Sequence, residues 1–176
     1  MKEIRSIILG SALSAIAIAA YADDMAKMDH HMVTAKEVQW NDGPPSLPPG
    51  AKLAVIDGDP AKEGPFTMRA KLPAKYKVPP HTHPGREHVT VIEGTFQMGL
   101  GEKWDDKAMK DLAAGSFAVM EKGTKHFAGC KKGCTIQIHG IGPWGINYVN
   151  PADDPRNAPG AKKPMADEPE TKGMKK

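Results

Sequence analysis

Between Pro79 and Gly94 the chain reads PPHTHPGREHVTVIEG. Only seven histidines occur in the whole sequence, and three of them, His81, His83 and His88, fall in this stretch with Glu87 beside the last. Such local enrichment asks for a chemical reason. Neutral imidazole and carboxylate together suit a divalent first-row transition metal. Side chains on a strand alternate between its two faces, so His81 and His83 point the same way. Glu87 and His88 are neighbours and point opposite ways, so at most one of them joins the two histidines. Pro84-Gly85 lets the chain bend and bring Glu87 back to them. His88 is then left facing away, in a surface or packing role. A fourth donor has to come from another strand, and His126, in GTKHFAG, is the candidate.

The elements that would position these donors read as short strands. KLAVIDGD, PFTMRAKLP, HVTVIEG, TFQMGLG, SFAVME, KHFAGC, TIQIHGIG and GINYVNP are each rich in β-branched or aromatic residues and bounded by Gly, Pro, Asp or Asn. Closely spaced strands with turn signals between them imply an all-β sandwich or barrel. Val38-Gln39-Trp40 reads as a further short strand, and GPPSLPPG (Gly43 to Gly50) as a rigid turn. The one helix-like segment after the N-terminal region is a turn around Asp106 to Leu112. No internal repeat is visible.

The two histidine regions carry a family resemblance. The first cupin motif is G-x5-H-x-H-x(3,4)-E-x6-G, and HTHPGREHVTVIEG matches it at His81, His83, Glu87 and Gly94. The second is G-x5-P-x-G-x2-H-x3-N, and GSFAVMEKGTKHFAGC matches it at Gly115, Gly123 and His126. Lys75, Glu121 and Cys130 stand where the motifs have Gly, Pro and Asn; none is a ligand position, so these departures touch turn geometry and leave the ligand set whole. Over roughly Leu72 to Val149 the chain resembles a single-domain cupin. The resemblance implies a small β-barrel of jelly-roll type, often dimeric, whose metal is held by His81, His83, Glu87 and His126.

Other residues bear on that site. Gln137 and His139 share a face of TIQIHG opposite Ile136 and Ile138. If the Ile face packs outward, the pair lines the pocket behind the ligands; otherwise His139 is structural. Trp144 is expected in the core. Arg86 could meet an anionic substrate or simply be an exposed arginine. The chain has no Ser/His/Asp order, phosphate-cradling Gly loop or zinc-finger cysteine spacing.

Length sets the organisation. The chain's 176 residues suit one domain with tails. Lys2 and Arg5 precede the small and apolar run Ile7 to Ala20, and Ala20-Tyr21-Ala22 follows. This is the pattern of a signal peptide over residues 1–22, cleaved after Ala22, and the expected location is periplasmic or secreted. An uncleaved anchor is the alternative, although the run falls short of the roughly 20 residues a membrane span needs. Cleavage takes away Lys2, Glu3 and Arg5 and changes the net charge from +3 to +2. That mild, scattered charge excludes an argument for nucleic acid or an anionic membrane as partner. Asp23 to Thr34, DDMAKMDHHMVT, reads as a flexible leader whose Met residues, His30 and His31 could hold copper. Residues 35–150 form the expected barrel. Residues 151–176, with five prolines and almost no large apolar side chain, read as a disordered tail. Cys130 and Cys134, in GCKKGCT, suggest a disulfide in an oxidising compartment, with free thiols or a local metal clip as alternatives.

Four protein ligands on a six-coordinate ion leave about two positions open. The leading expectation is therefore a metal-dependent enzyme acting on a small molecule, dioxygenase-like by family analogy. Fe or Mn is favoured, and Co, Zn, Ni and Cu are admitted. Glu87 serves as a ligand or, if displaced, as a catalytic base. The alternatives are a non-catalytic module that binds a metal or small ligand, and a purely structural barrel.

Overall fold

The computed structural model describes residues 30–159. They fall into two units, residues 30–35 and residues 36–159; among its described residues the first contains no strand or helix. The expected signal peptide and most of the leader lie outside the described residues.

The second unit is all-β. Its strands are β1 (Asn41–Asp42), β2 (Lys52–Gly58), β3 (Gly64–Leu72), β4 (Tyr76–Thr82), β5 (Glu87–Leu100), β6 (Lys110–Ala113), β7 (Phe117–Met120), β8 (His126–Cys130), β9 (Cys134–Gly142) and β10 (Asn147–Tyr148). All pairings are antiparallel, in the order β1-β2-β3-β9-β5-β8-β4-β10, with β6 and β7 both added to β5.

Strand β5 makes the sheet curl. Its first half pairs with β9 and β7, and its second half with β8 and β6. The switch falls where the register with β9 slips between Val91 and Glu93 and where Gly94 takes φ 75. A bulge strengthens the local twist, and the left-handed conformation is open to glycine at no steric cost. A Cβ on Gly94 would also lie 2.5 Å from the Gly133 carbonyl oxygen. HVTVIEG and TFQMGLG, read from sequence as two strands, are thus one strand bent at Gly94.

Period-two alternation sets the core. Phe66, Met68, Ala70 and Leu72 of β3, Val89 and Val91 of β5, and Ile136 and Ile138 of β9 are all buried in one cluster. Their partners in sequence face the other side. The tyrosine hydroxyls tie the proline-rich turn to this barrel: Tyr76 donates to the Pro48 carbonyl at 2.5 Å, and Tyr148 to the Ser46 carbonyl at 2.8 Å. Cys130 ends β8, Cys134 opens β9, and the two are joined in a disulfide with Cα atoms 6.0 Å apart.

Three local expectations are corrected. The Val38–Trp40 run is not a strand; pairing with β2 begins only at Asn41, because closure of the proline-rich turn by Gly43 N–H on the Ala51 carbonyl sets Asn41 opposite Leu53. The helix-like segment at Asp106 to Leu112 is a tight turn followed by β6. Asp105 accepts the Lys107 and Ala108 amides, and this local capture competes with helix formation. The expected disordered tail starts with ordered residues. Pro151–Asp153 and Pro155–Asn157 are two 3-10 turns, capped by the side chains of Asn150 and Asp154, and the Arg156 guanidinium donates to the Ile146 carbonyl. Asn-Pro and Asp-Pro supply a capping oxygen followed by a preset φ. Residues 160–176 lie outside the described residues.

Candidate metal centre

Strand β4 contains Pro79 and Pro80, which have no amide hydrogen to give to a ladder. Its register with β8 accordingly slips between Val78, opposite Ala128, and His81, opposite His126. Two residues of β4, Pro79 and Pro80, there face one of β8, Phe127. This extra residue changes the alternation, so Val78 and His81 both point inward despite their odd spacing. Alternation then resumes through His83, Glu87 and Val89, all buried. Pro84 and Gly85 form the bend between β4 and β5. The turn before β8 is fixed to the same region by the Gly123 amide, which donates to the His83 carbonyl.

The result is a convergence of His81, His83 and His126, whose ligand nitrogens all lie within 4.8 Å of one another. Among the described residues no other group of three such side chains converges in this way. Glu87 Oε2 lies 3.4 Å from His83 Nε2 and 3.7 Å from His126 Nε2. None of the four residues is more than 4% exposed.

Backbone carbonyls orient all three rings. The Nδ1 atoms of His81, His83 and His126 lie 2.7, 2.7 and 2.9 Å from the carbonyl oxygens of Pro79, Gly145 and Thr124. A carbonyl can only accept, so each Nδ1 carries the hydrogen and each Nε2 is left with a bare lone pair. His83 Nε2 is buried with no hydrogen-bond partner in the chain, and it faces a carboxylate oxygen. Lone pairs gathered in this way need a positive centre among them. Orientation of a ligating histidine by a carbonyl on its other nitrogen is the usual arrangement behind a metal. Donor atoms bound at about 2.0–2.1 Å from one ion stand roughly 3–3.5 Å apart, close to the Glu87–His83 separation. The residues present fit a divalent metal.

The electrostatics show the same demand. Burial pushes His81 down to about 2, helped by repulsion from His126 and His83. Burial lowers His126 as well, against the pull of the Thr124 carbonyl and Glu87. Burial also opposes protonation of His83, but the Glu87 carboxylate and the Gly145 carbonyl outweigh it, and its pKa is raised.

The cluster opens on a cavity of about 50 Å³ whose other walls are almost wholly apolar. Trp144 forms one of them: its ring stacks on His83 at 4.7 Å and 21°, and packs against Phe66. It was expected in the core from sequence, and its contact with a ligand ring is new. The Gly145 carbonyl that orients His83 was not legible either; only the aromatic within a Pro-Trp-Gly turn hinted at it.

On the outer face of β9 the structure takes the second of the two alternatives that the sequence left open. Gln137 and His139 do not lie behind the ligands. Ile136 and Ile138 take the cavity side of β9, while Gln137 accepts from Arg69 and His139 stacks on His88 at 4.7 Å and 2°. Burying the isoleucines is favourable at about 25 cal/mol per Å², whereas amide and imidazole groups turned into an apolar chamber would lose partners. His88 does face away from the cluster. Arg86 forms an ion pair with Glu121 at 2.9 Å, both more than half exposed. That pair joins the loops of the two motifs at the surface. Lys75, at the glycine position of the first motif, takes φ 62, the conformation glycine would adopt freely. His30 and His31 are exposed in the first unit.

The sequence profile of the ChrR cupin-like domain matches residues 28–141, more than half of the chain. The chain belongs to this cupin family. Solved cupin-type structures agree in fold. A candidate acetylacetone dioxygenase from Methylibium petroleiphilum is 18% identical, covering 73% of this chain and 87% of that one, with a TM-score of 0.56. The polyketide cyclase RemF from Streptomyces resistomycificus is 14% identical, covering 72% and 90%, with a TM-score of 0.57. An RmlC-like cupin from Ralstonia eutropha is 16% identical, covering 69% and 74%, with a TM-score of 0.54. At these identities the likeness concerns fold alone, and the different activities in their names show that this cupin fold does not dictate one reaction. Among curated proteins, none matches the chain.

Proposed function

We propose that this cupin is an exported metal-dependent enzyme acting on a small molecule, with oxidation of dioxygenase type as the reaction class. The observation that carries the proposal is the set of three carbonyl-oriented imidazoles, with Nε2 lone pairs converging beside Glu87 at the wall of an apolar cavity. His81, His83 and His126 would hold the metal, Fe or Mn by preference, with Glu87 as a fourth ligand. When bound, the ion supplies Lewis-acid polarisation and, if it is redox-active, a route for electrons. The chain's own residues do the rest. The three carbonyls keep each imidazole in its ligating tautomer. Glu87, when not ligating, would take a proton from a bound substrate. Trp144 and the aliphatic walls exclude water. Support for the dioxygenase class comes from the name of one similar structure. Support for export comes from the Lys2–Ala22 pattern and from the Cys130–Cys134 disulfide, a bond at home in oxidising compartments.

The test is elemental analysis of the mature protein beside His81→Ala and His126→Ala, with oxygen uptake measured over a panel of small chelating compounds. About one Fe or Mn per chain, lost in both variants, with uptake on at least one compound, is the expected result. Full metal retention by both variants would refute the ligand assignment. Metal binding without turnover would leave a binding protein. A mature N-terminus at Asp23, read by mass spectrometry, checks the export step.

A further inference from the structure

We propose that the cavity selects a ligand with a short, uncharged hydrocarbon body and an oxygen-donor head. The inference rests on the reading of His81, His83, His126 and Glu87 as a metal site and adds the class of molecule that site receives.

Three observations carry it. The first is charge. Among the described residues lining the cavity there is no Lys or Arg, and the only carboxylate is Glu87. Arg86 sits next to Glu87 in sequence, but it pairs with Glu121 at the surface. A carboxylate or phosphate on the ligand's body would be buried without a counter-charge, which costs far more than apolar contact returns. The second is the polar end. The Trp144 indole Nε1 is buried and has no acceptor in the chain, and Trp144 lines the cavity stacked on His83. A buried donor left unpaired costs about 1–3 kcal/mol, and a ligand oxygen that reached Nε1 from beside the histidine cluster would remove that cost. The third is size. At roughly 10–15 Å³ per water the cavity of about 50 Å³ has room for about four non-hydrogen atoms of body. Phe96, Met98, Ile136 and Ile138 form strand-borne walls, and Leu47 forms another from a turn pinned by the Tyr76 and Tyr148 hydroxyls.

The experiment uses the full mature chain loaded with Mn(II) and the straight-chain hydroxamic acids from acetohydroxamic to octanohydroxamic acid, with affinity measured by calorimetry and metal content measured in parallel. Affinity should rise by about fourfold per methylene, peak when the alkyl body beyond the hydroxamate has about four carbons and then fall. A carboxylate at the far end of the tightest member should weaken binding by roughly a hundredfold or more. Ala128→Leu, which fills the chamber, should move the maximum to shorter chains, and Phe96→Leu to longer ones, with metal content unchanged in both. Trp144→Phe should weaken every member by about fivefold and leave the dependence on chain length intact. If Ala128→Leu fails to fold by circular dichroism, Phe96→Leu decides the size argument. Metal held at full stoichiometry with affinities flat across the series, or with the terminal carboxylate tolerated, overturns this inference and leaves the metal site standing. No metal bound by the wild type overturns the metal reading, and this inference falls with it.

Discussion

Acidification of the metal-free protein should destabilise it through His81. In the folded chain burial holds this imidazole down to about 2, against 6.5 when it is free. The unfolded state therefore binds the extra proton over that window. The stability His81 contributes is whole above about 6.5 and is lost as pH falls toward its folded value. At about pH 5 nearly every unfolded chain carries the proton and almost no folded one does, which costs about 2 kcal/mol. The figure barely depends on the folded value, provided that value lies well below 5. His126, also lowered by burial, acts in the same direction. His83 acts in the opposite one, because its raised pKa gives stability that is whole below 6.5 and lost as pH rises through the folded value. The assay is urea unfolding of chelator-treated wild type and His81→Gln at about pH 7.5 and about pH 5. Wild type should lose about 2 kcal/mol more than the variant between the two conditions. Equal losses would refute the account of His81 as a buried neutral imidazole.

Backbone positions and the outer face of the sheet give further expectations. Gly94→Ala should cost about 2–4 kcal/mol by urea unfolding, since φ 75 penalises a side chain and the new Cβ would press on the Gly133 carbonyl. Lys75→Gly should raise stability by about 0.5–1 kcal/mol, because relief of φ 62 outweighs the entropy glycine adds to the unfolded chain. A lower urea midpoint for that variant would show that the Lys75 side chain contributes more than its backbone costs. Gln137→Ala and His139→Ala should leave metal stoichiometry at the wild-type value by elemental analysis, because both residues lie across the sheet from the cavity.

Spacing made much of the metal centre legible. The step from His81 to His83 is even, so alternation puts both on one face, and the Pro84-Gly85 bend returns Glu87 to them. The strand count was legible from β-branched runs between turn residues. Yet two runs proved to be one strand bent at Gly94, since a glycine marks a turn and a bulge equally well. Alternation also fails to say which face of β9 is inner. Ile136-Gln137-Ile138-His139 fits the sheet either way up until its neighbours are known. The registers with Val89 and Val91 on one side and with Met68 and Ala70 on the other assign the isoleucines inward.

The sequence by itself determined the donor types, their spacing, the turn glycines, the all-β class and the likeness to cupins, because each is written in residues near one another along the chain. Only the tertiary structure decided that Gly145, 62 residues beyond His83, orients that ring, that Trp144 covers it, and that no Lys or Arg among the described residues lines the cavity. These are properties of surfaces assembled from distant strands. Local periodicity says which side chains share a face, whereas pairing between strands says what that face meets.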